Sequence, residues 1–156
     1  MASAIRLLLV LMLSSVTACQ MERVVPSTNS EPVEAAFARF IDAFNRLDWE
    51  SFQRSFSTNV SLFNPQIPEA TSLRRLDGQT EVELNFQQVF EAAKRSGHGP
   101  HIVPINVRTQ LLTDAAVVTF EFNRGGGSYG RRTLVFVKET GGWKIIHVHA
   151  SNVNGQ

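Results

Sequence analysis

The stretch that decides the fold runs from Arg131 to Ser151 and reads R-R-T-L-V-F-V-K-E-T-G-G-W-K-I-I-H-V-H-A-S. Two runs rich in β-branched and aromatic residues flank the Gly141-Gly142 pair, a pattern typical of an antiparallel hairpin. Successive side chains of a strand point to opposite faces, so strict alternation predicts which residues of the second strand share one face. The residues expected on that face are Trp143, Ile145, His147, His149 and Ser151. Imidazoles therefore recur where an ordinary buried face would repeat aliphatic side chains.

Upstream of this hairpin the pattern is helical. Apolar residues recur at helical spacing from Val33 to Leu47, which predicts an opening helix. Asp48 is placed to cap a short second helix, which is expected to carry Trp49, Phe52 and Phe56. Thr80 and Glu83 have the spacing of a capping box, which predicts a third helix over about 80–95.

Strand-like runs fill most of the remaining chain, and they are expected at 60–63, 102–112, 115–123, 131–139 and 143–151. Because helices come first and strands follow, the sequence predicts one α+β domain. Gly125, Gly127 and Gly130 match the dinucleotide-binding pattern G-x-G-x-x-G. A dinucleotide site requires a helix after the glycines, whereas a strand follows here, so we interpret this segment as a hairpin connection.

Several segments together resemble the SnoaL-like and calcium/calmodulin-dependent kinase II association-domain families of the nuclear transport factor 2-like superfamily. They are the terminal W-K-I-I-H-V-H-A-S, the L-D-W-E-S-F at 47–52, the V-S-L-F-N-P at 60–65 and the L-D-G-Q-T before the third helix. The resemblance implies a cystatin-like fold, in which a curved antiparallel sheet wraps around N-terminal helices and forms a cone-shaped pocket. Members of the superfamily include isomerases, dehydratases, transport factors and oligomerisation hubs, so the resemblance leaves the activity open.

The association-domain resemblance also implies a pocket lined by arginines, on the sheet face opposite the repeated histidines. Leu134 and Ala150 occupy two of the positions at which those arginines would stand, and Glu121 lies near a third. The resemblance therefore implies a more apolar and less cationic pocket, and the carboxylate binding of that family is not carried over. Arg131 and Arg132 lie close by, and one of them is expected to face solvent.

The N-terminal residues have the pattern of a secretion signal. Arg6 precedes the apolar run 7–13 and small residues up to Ala18. A membrane-spanning helix needs about 20 apolar residues, so this run is too short to remain as one. Val16-Thr17-Ala18-Cys19 resembles the bacterial lipobox, in which the cysteine becomes the acylated first residue of the mature protein. Ordinary cleavage after Ala18 is the alternative, and the position of the chain's only cysteine favours lipidation.

These features divide the chain into three parts: a signal peptide at 1–18, the lipidated Cys19 with a flexible tether at 19–31, and a domain at 32–153. We expect an exported lipoprotein on the periplasmic face of a bacterial membrane. Gln20 follows the cysteine in place of the Asp associated with inner-membrane retention, which indicates the outer membrane.

Charge composition argues against one class of partner. Without Arg6, the 15 basic residues become 14 and equal the 14 acidic residues. Nucleic-acid binding requires a basic stripe, and no such stripe is visible in the sequence, so we expect no nucleic-acid partner.

The polar residues suggest two kinds of chemistry, metal binding and general base catalysis. His147 and His149 have a spacing that suits two metal ligands, but the motif lacks a third, and His98 and His101 would approach only if the sheet order brought them near. We therefore expect neither a metal nor another cofactor. If the domain is an isomerase or lyase, it needs a general base. The candidates for that base are Asp42, Glu121 and His147.

The sequence favours a binding module, a homodimer whose pocket holds a small hydrophobic or amphipathic molecule between apolar walls and a few polar groups. The residues expected to line this pocket are Phe44, Trp49, Phe63, Phe90, Glu121, Leu134, His147 and His149. Two alternatives stay open. One is an isomerase or lyase of the ketosteroid isomerase or SnoaL type. The other is a homo-oligomerising interaction module without a ligand, in which the histidines of the final strand lie at a subunit interface.

Overall fold

The computed structural model describes residues 31–64 and 75–153, which contain three helices and six strands. The predicted signal peptide, Cys19 and nearly all of the predicted tether lie outside the described residues. The helices are α1 (Val33–Asn45), α2 (Trp49–Gln53) and α3 (Gln79–Ser96). The strands are β1 (Phe56–Phe63), β2 (Leu76–Asp77), β3 (Ile105–Leu111), β4 (Ala115–Gly125), β5 (Ser128–Glu139) and β6 (Gly142–Val153).

The strands of the described residues form one curved, open sheet in the order β2-β1-β6-β5-β4-β3. β1 and β6 are parallel, and the other neighbouring strands are antiparallel. The predicted α+β class is therefore confirmed, with one parallel pair in a sheet expected to be antiparallel. The sheet face that packs against the helices is called the inner face below, and the opposite face is called the outer face.

The turn between α1 and α2 follows the sequence signals in part. Asp48 caps α2 as predicted, because its Oδ1 accepts the Ser51 N–H at 3.1 Å, and this hydrogen bond lowers the pKa of the Asp48 carboxyl. The prediction that Phe56 belongs to the short helix is wrong. The Ser55 carbonyl accepts the Ile145 N–H at 2.8 Å, which draws the chain into the sheet, so Phe56 becomes the first residue of β1.

The third helix has the predicted extent but a different start. The N-cap of α3 is Gly78, which has a φ of 84° and no side chain to accept a hydrogen bond. Thr80 therefore lies inside the helix, and the capping box predicted for Thr80 and Glu83 is wrong. A different glutamate reaches back toward the helix start, since Glu81 Oε2 accepts the Asp77 N–H at 3.2 Å.

A cluster of aromatic rings joins the helices to the sheet. Phe52 of α2 is fully buried at its centre. Its ring centroid lies between 4.9 and 6.0 Å from those of Phe40, Phe44, Trp49, Phe56, Phe86 and Phe90. Aromatic pairs at such distances contribute about 0.5–1.5 kcal/mol each beyond the burial of their surface. Phe52 therefore connects all three helices to β1.

The register between β5 and β6 shifts by one residue. Phe136 pairs with Ile145, whereas Val135 pairs with His147, so Ile146 is the extra residue of a β-bulge. Trp143 and Ile145 are buried before the bulge, and Val148 and Ala150 are the buried residues after it. The strict alternation predicted from Trp143 to Ser151 is therefore wrong. Before the bulge the odd-numbered residues lie on the inner face, whereas His147 and His149 lie on the outer face.

The role of Phe52 can be tested by substitution. Because Phe52→Ala would remove a ring from the centre of the cluster, we expect the free energy of unfolding to fall by about 3–5 kcal/mol. Leu111→Ala is the matched control, since Leu111 is 66% exposed, and its effect should stay within about 0.5 kcal/mol. Urea denaturation measures both. If the alanine variant fails to fold, Phe52→Leu replaces it. A decrease in the free energy of unfolding of less than about 1 kcal/mol for Phe52→Ala would contradict the central position of Phe52 in the cluster.

Candidate functional site

A cavity of about 490 Å³ lies between the inner face of the sheet and helices α1 and α3. Ligand pockets have volumes of about 300–1,000 Å³, so the cavity is large enough for a small molecule. Its walls are mostly apolar and aromatic. The residues that form these walls are Phe40, Phe44, Leu62, Phe86, Val89, Phe120, Phe122, Leu134, Val148 and Ala150.

Polar side chains form another part of the lining. They are Asn64, Asn85, His101, Asn123, Arg124 and Arg132. Asn64 Nδ2 donates to Asn85 Oδ1 at 2.9 Å, which links the end of β1 to α3. Within the described residues, no carboxylate lines the cavity. The polar part of the lining therefore carries positive charge from its two arginines.

Arg132 is the less exposed of the two arginines that line the cavity. It lies on the inner face of β5, where its guanidinium carbon is 4.8 Å from the centre of the Phe122 ring. Its Nη1 donates to the carbonyls of Ser151 at 2.9 Å and Arg131 at 2.7 Å. Burial, with a smaller contribution from the charge of Arg124, lowers the pKa of Arg132 to about 10. Arg132 therefore remains a cation at neutral pH in spite of its partial removal from water.

Within the described residues, the charge of Arg132 has no carboxylate partner. Among residues 31–64 and 75–153, neither Arg132 nor Arg124 forms an ion pair with an acidic side chain. Arg131, the neighbour on the outer face, pairs with Glu121 at 3.0 Å. The prediction that one of these two arginines faces solvent is confirmed, because Arg131 is exposed and Arg132 is not.

The position of the Phe122 ring depends on glycine at position 130. Phe122 and Gly130 are partners across β4 and β5. A Cβ atom at position 130 would lie 2.3 Å from two carbons of the Phe122 ring, far inside van der Waals contact. Glycine therefore leaves the space that this ring occupies beside the Arg132 guanidinium.

Residues 97–104, called the strap below, run from α3 to β3 along the cavity. Asn45 of α1 holds the strap through its side-chain amide, because Asn45 Oδ1 accepts the Ile102 N–H and Nδ2 donates to the Ile102 carbonyl, both at 2.8 Å. Pro100, His101 and Ile102 thereby line the cavity. The strand predicted from residue 102 starts instead at Ile105, since Ile102 makes these hydrogen bonds to a helix and not to a neighbouring strand.

Four of the eight residues predicted for the pocket lie in or behind the cavity wall. Phe44 and Leu134 line the cavity. Phe90 is buried and Trp49 is half-buried, with their ring centroids 5.4 Å apart. Phe90 also contacts Phe44 at 5.6 Å, so these two residues support the wall from behind.

The other four residues predicted for the pocket lie on the outer face. Glu121 belongs to the outer row of β4, where Asn106 and Arg131 donate to its carboxylate and thereby lower its pKa. Phe63 pairs with His149 across β1 and β6, and the bulge turns His147 and His149 outward. Because of these registers, the structure separates Phe63, Glu121 and the two histidines from the cavity.

Of the candidate bases, none lines the cavity. Asp42 is exposed on α1 and pairs with Arg46 at 2.8 Å. Glu121 and His147 lie on the outer face. The sequence reasoning also missed Arg132, although Gly130, Arg132, Leu134 and Phe136 alternate in one row that could have indicated the inner face.

His147 forms a small polar cluster on the outer face. Its Nδ1 lies 2.9 Å from Ser61 Oγ, and the Phe63 ring is 5.8 Å from the His147 ring and 5.9 Å from the His149 ring. Burial lowers the pKa of His147 most, and the charges of His149 and Arg75 lower it further. The folded chain therefore favours the neutral imidazole at this position.

The described residues contain neither a cluster of metal-ligating side chains nor a helix that could cross a membrane. In these residues, no three His, Cys, Asp or Glu side chains stand close enough together to hold a metal ion. No helix of residues 31–64 and 75–153 is both long enough and apolar enough to cross a membrane.

Comparison with known protein families decides the classification of this fold and cavity. Residues 33–154 match the SnoaL-like domain. The chain belongs to the SnoaL-like family. The resemblance predicted from the sequence is therefore confirmed for the domain. No curated protein matches this SnoaL-like chain.

Solved structures share the fold of this SnoaL-like domain. A proposed dehydratase of the NTF2-like family from Streptomyces avermitilis is 22% identical with a TM-score of 0.63, over 78% of this chain and 93% of that chain. A proposed calcium/calmodulin-dependent protein kinase type II association domain from Thiobacillus denitrificans is 19% identical with a TM-score of 0.61, over 80% of this chain and 98% of that chain. A cystatin-like fold protein from Burkholderia xenovorans is 18% identical with a TM-score of 0.59, over 80% of this chain and 91% of that chain. These similarities confirm the predicted NTF2-like, cystatin-like fold.

The lowered pKa of His147 makes the stability of the SnoaL-like domain depend on pH. Below the ordinary histidine pKa of about 6.5, the unfolded chain takes up a proton that the folded chain accepts only at lower pH. We therefore expect the free energy of unfolding to fall between about pH 7.5 and pH 5.5, and to fall less in His147→Gln. Urea denaturation across this range measures the difference. His98→Gln, on the exposed strap, is the control, and an equal pH dependence of His147→Gln and the unsubstituted chain would refute the assignment.

Proposed function

We propose that the domain binds a small amphipathic molecule, with its apolar part among the phenylalanine rings of the cavity and an anionic group at Arg132. The observation that carries this proposal is the partly desolvated guanidinium of Arg132, which has no acidic partner among the described residues. A buried charge without a partner is costly, and an anionic ligand would offset that cost.

The hydrogen bonds of Arg132 also define the side from which such a ligand would bind. Both N–H groups of Nη1 donate to backbone carbonyls, those of Ser151 and Arg131. In the part of the chain that the structure describes, the N–H groups of Nε and Nη2 have no acceptor, and this edge of a guanidinium suits a carboxylate or phosphate in a bidentate arrangement. Arg124 adds a second positive charge to the lining.

The apolar walls favour an amphipathic ligand over a free inorganic anion. Aromatic side chains of α1, α3 and β4 provide much of the apolar wall. Burying an alkyl or ring moiety against them contributes about 0.8 kcal/mol for each CH₂ group removed from water. The anionic group would then fix the orientation of the ligand.

Isomerase or lyase activity is the alternative, since one similar structure carries the name of a proposed dehydratase. Proton abstraction from a substrate needs a base within hydrogen-bond reach. In the described part of the lining, His101 is the one imidazole and no carboxylate is present. The three sequence-derived candidates Asp42, Glu121 and His147 lie outside the cavity, so the geometry favours binding over catalysis.

A matched pair of probes tests the proposal. Octanoate and 1-octanol share an apolar chain and differ in charge, so we expect calorimetry to give at least about tenfold tighter binding for octanoate. Arg132→Gln should remove this preference. Arg131→Gln is the matched control, because the neighbouring Arg131 lies on the opposite face, and it should keep the preference. Equal binding of the two probes to the unsubstituted chain, or an equal loss in both variants, would contradict the proposal.

We further propose that the domain is exported, anchored through Cys19 to the periplasmic face of the outer membrane, and paired as a homodimer. The lipobox-like Val16-Thr17-Ala18-Cys19 supports the anchor. The outer face supports the dimer, since Phe63 is exposed there beside His147 and His149. A dimer of this kind would cover these rings.

One mass spectrum tests the anchor and the dimer together. We expect native mass spectrometry of the chain extracted from bacterial membranes to give a dimer of chains that begin at Cys19 and carry acyl groups. Cys19→Ser should lose both the added mass and the membrane association. A chain without acyl groups would refute the anchor, and a monomer would refute the homodimer.

A further inference from the structure

Two asparagine side chains form a second polar position in the cavity. Asn64 directly follows β1, Asn85 lies on α3, and both line the cavity. Asn64 Nδ2 donates to Asn85 Oδ1 at 2.9 Å, and the two side chains together are called the amide pair below. An amide carries no net charge, so the amide pair suits a neutral polar group and not the anion expected at Arg132.

The registers of the sheet separate the amide pair from Arg132. Phe63 is the partner of His149 in the parallel pair of β1 and β6. The residues that directly follow them, Asn64 and Ala150, therefore lie beside each other on the inner face. Ala150 is in turn the partner of Arg132 across β6 and β5. Because neighbouring strands lie about 4.8 Å apart, roughly 10 Å separates the backbones of Asn64 and Arg132.

The sheet between these two polar positions is apolar. Ala150 lies between Asn64 and Arg132 and lines the cavity. Val148 and Leu134, the preceding inner residue of β6 and its partner on β5, line it as well. A ligand that contacts both polar positions therefore has an apolar body between two polar groups.

The hydrogen-bonding atoms of the amide pair define the second polar group of such a ligand. Among the described residues, Asn64 Oδ1 has no donor and Asn85 Nδ2 has no acceptor. Asn85 is half-buried, so its amide is partly removed from water. A hydroxyl group both donates and accepts, and one hydroxyl therefore matches both atoms.

The distribution of charge excludes a second anionic group at the amide pair. The cations of the described lining are Arg124 and Arg132, which belong to β4 and β5. In the sheet, β6 lies between β5 and β1, so both arginines are on the side of the cavity away from Asn64. A second anion beside Asn64 would be partly desolvated without a nearby positive charge, which is costly.

We propose that the ligand is a hydroxylated anionic amphiphile, whose anionic group binds Arg132 and whose hydroxyl group binds the amide pair. The hydroxyl donates to Asn64 Oδ1 and accepts from Asn85 Nδ2. This inference rests on the proposed function, since it uses the same anion at Arg132. It adds the class of ligand, a hydroxy acid whose two polar groups lie at opposite ends of an apolar body.

Two carboxylates of equal chain length test the inference. Octanoate and 8-hydroxyoctanoate differ in one hydroxyl group, at the end of the chain away from the carboxylate. We expect calorimetry on the purified chain to give affinities within about threefold of each other, because hydrogen bonds to the amide pair replace those to water. In Asn85→Ala, the hydroxy acid should bind at least about tenfold more weakly than octanoate, because its hydroxyl has lost a partner inside the cavity.

Gln87→Ala is the matched control, because Gln87 is an exposed amide on the same helix and does not line the cavity. It should keep the two affinities within about threefold of each other. If octanoate binds and Asn85→Ala leaves the ratio of the affinities unchanged, the hydroxyl site is refuted while the proposed function stands. A hydroxy acid that already binds the unsubstituted chain tenfold more weakly also refutes the site. If neither probe binds, both proposals are refuted.

A third probe separates recognition of the hydroxyl from a general change in the cavity. In 2-hydroxyoctanoate the hydroxyl is next to the carboxylate and cannot reach the amide pair while the carboxylate binds Arg132. We therefore expect Asn85→Ala to leave its affinity relative to octanoate unchanged. An equal loss of affinity for both hydroxy acids in Asn85→Ala would contradict the assignment of the amide pair as the hydroxyl site.

Discussion

The register of β5 and β6 shifts by one residue at Ile146, and both faces of the sheet depend on that shift. Before the bulge, Trp143 and Ile145 pack on the inner face beneath the helices. After it, the inner face receives Val148 and Ala150, whose small side chains leave room for the cavity. An uninterrupted strand would have put His147 and His149 in that space. The bulge therefore keeps the imidazoles of His147 and His149 out of the cavity that Arg132 lines.

The cavity also depends on Arg132, whose guanidinium is partly buried and still charged. Desolvation opposes the charged form, yet a pKa of about 10 leaves the guanidinium protonated at neutral pH. Three local features hold it in place: the Phe122 ring beneath it, the absence of a side chain at Gly130, and two backbone carbonyls. Each of them restricts the side chain without neutralising its charge. A cation held in this way is preorganised for an anion.

Much of the fold could be predicted from the sequence, because its signals are local. The spacing of apolar residues predicted α1 and α3, and Asp48 identified the start of α2. The Gly141-Gly142 turn placed β5 beside β6. The glycines at 125, 127 and 130 were correctly assigned to a hairpin, since Asn123 pairs with Tyr129 and Gly125 with Ser128.

The site was less predictable, because its determinants are tertiary. Ile146 fits either face of a strand, so nothing local marks it as a bulge. The strap departs from strand geometry because of Asn45, a residue 57 positions earlier in the chain. Phe56 fits the helical spacing of the aromatic cluster and still opens β1, since Ser55 already pairs with β6. Arg132 could have been predicted from the sequence, because it alternates along β5 with the apolar Leu134 and Phe136, which indicates that all three share the inner face.

The most direct test of an anion held by Arg132 inside an apolar cavity is a crystal structure with 8-bromooctanoate. The anomalous signal of bromine locates the apolar end without assumptions about the rest of the ligand. We expect the bromine among Phe44, Phe86 and Phe120, with the carboxylate within hydrogen-bond distance of Nε and Nη2 of Arg132. A bromine on the outer face, or a carboxylate in solvent away from Arg132, would contradict the assignment of this cavity as an anionic amphiphile site.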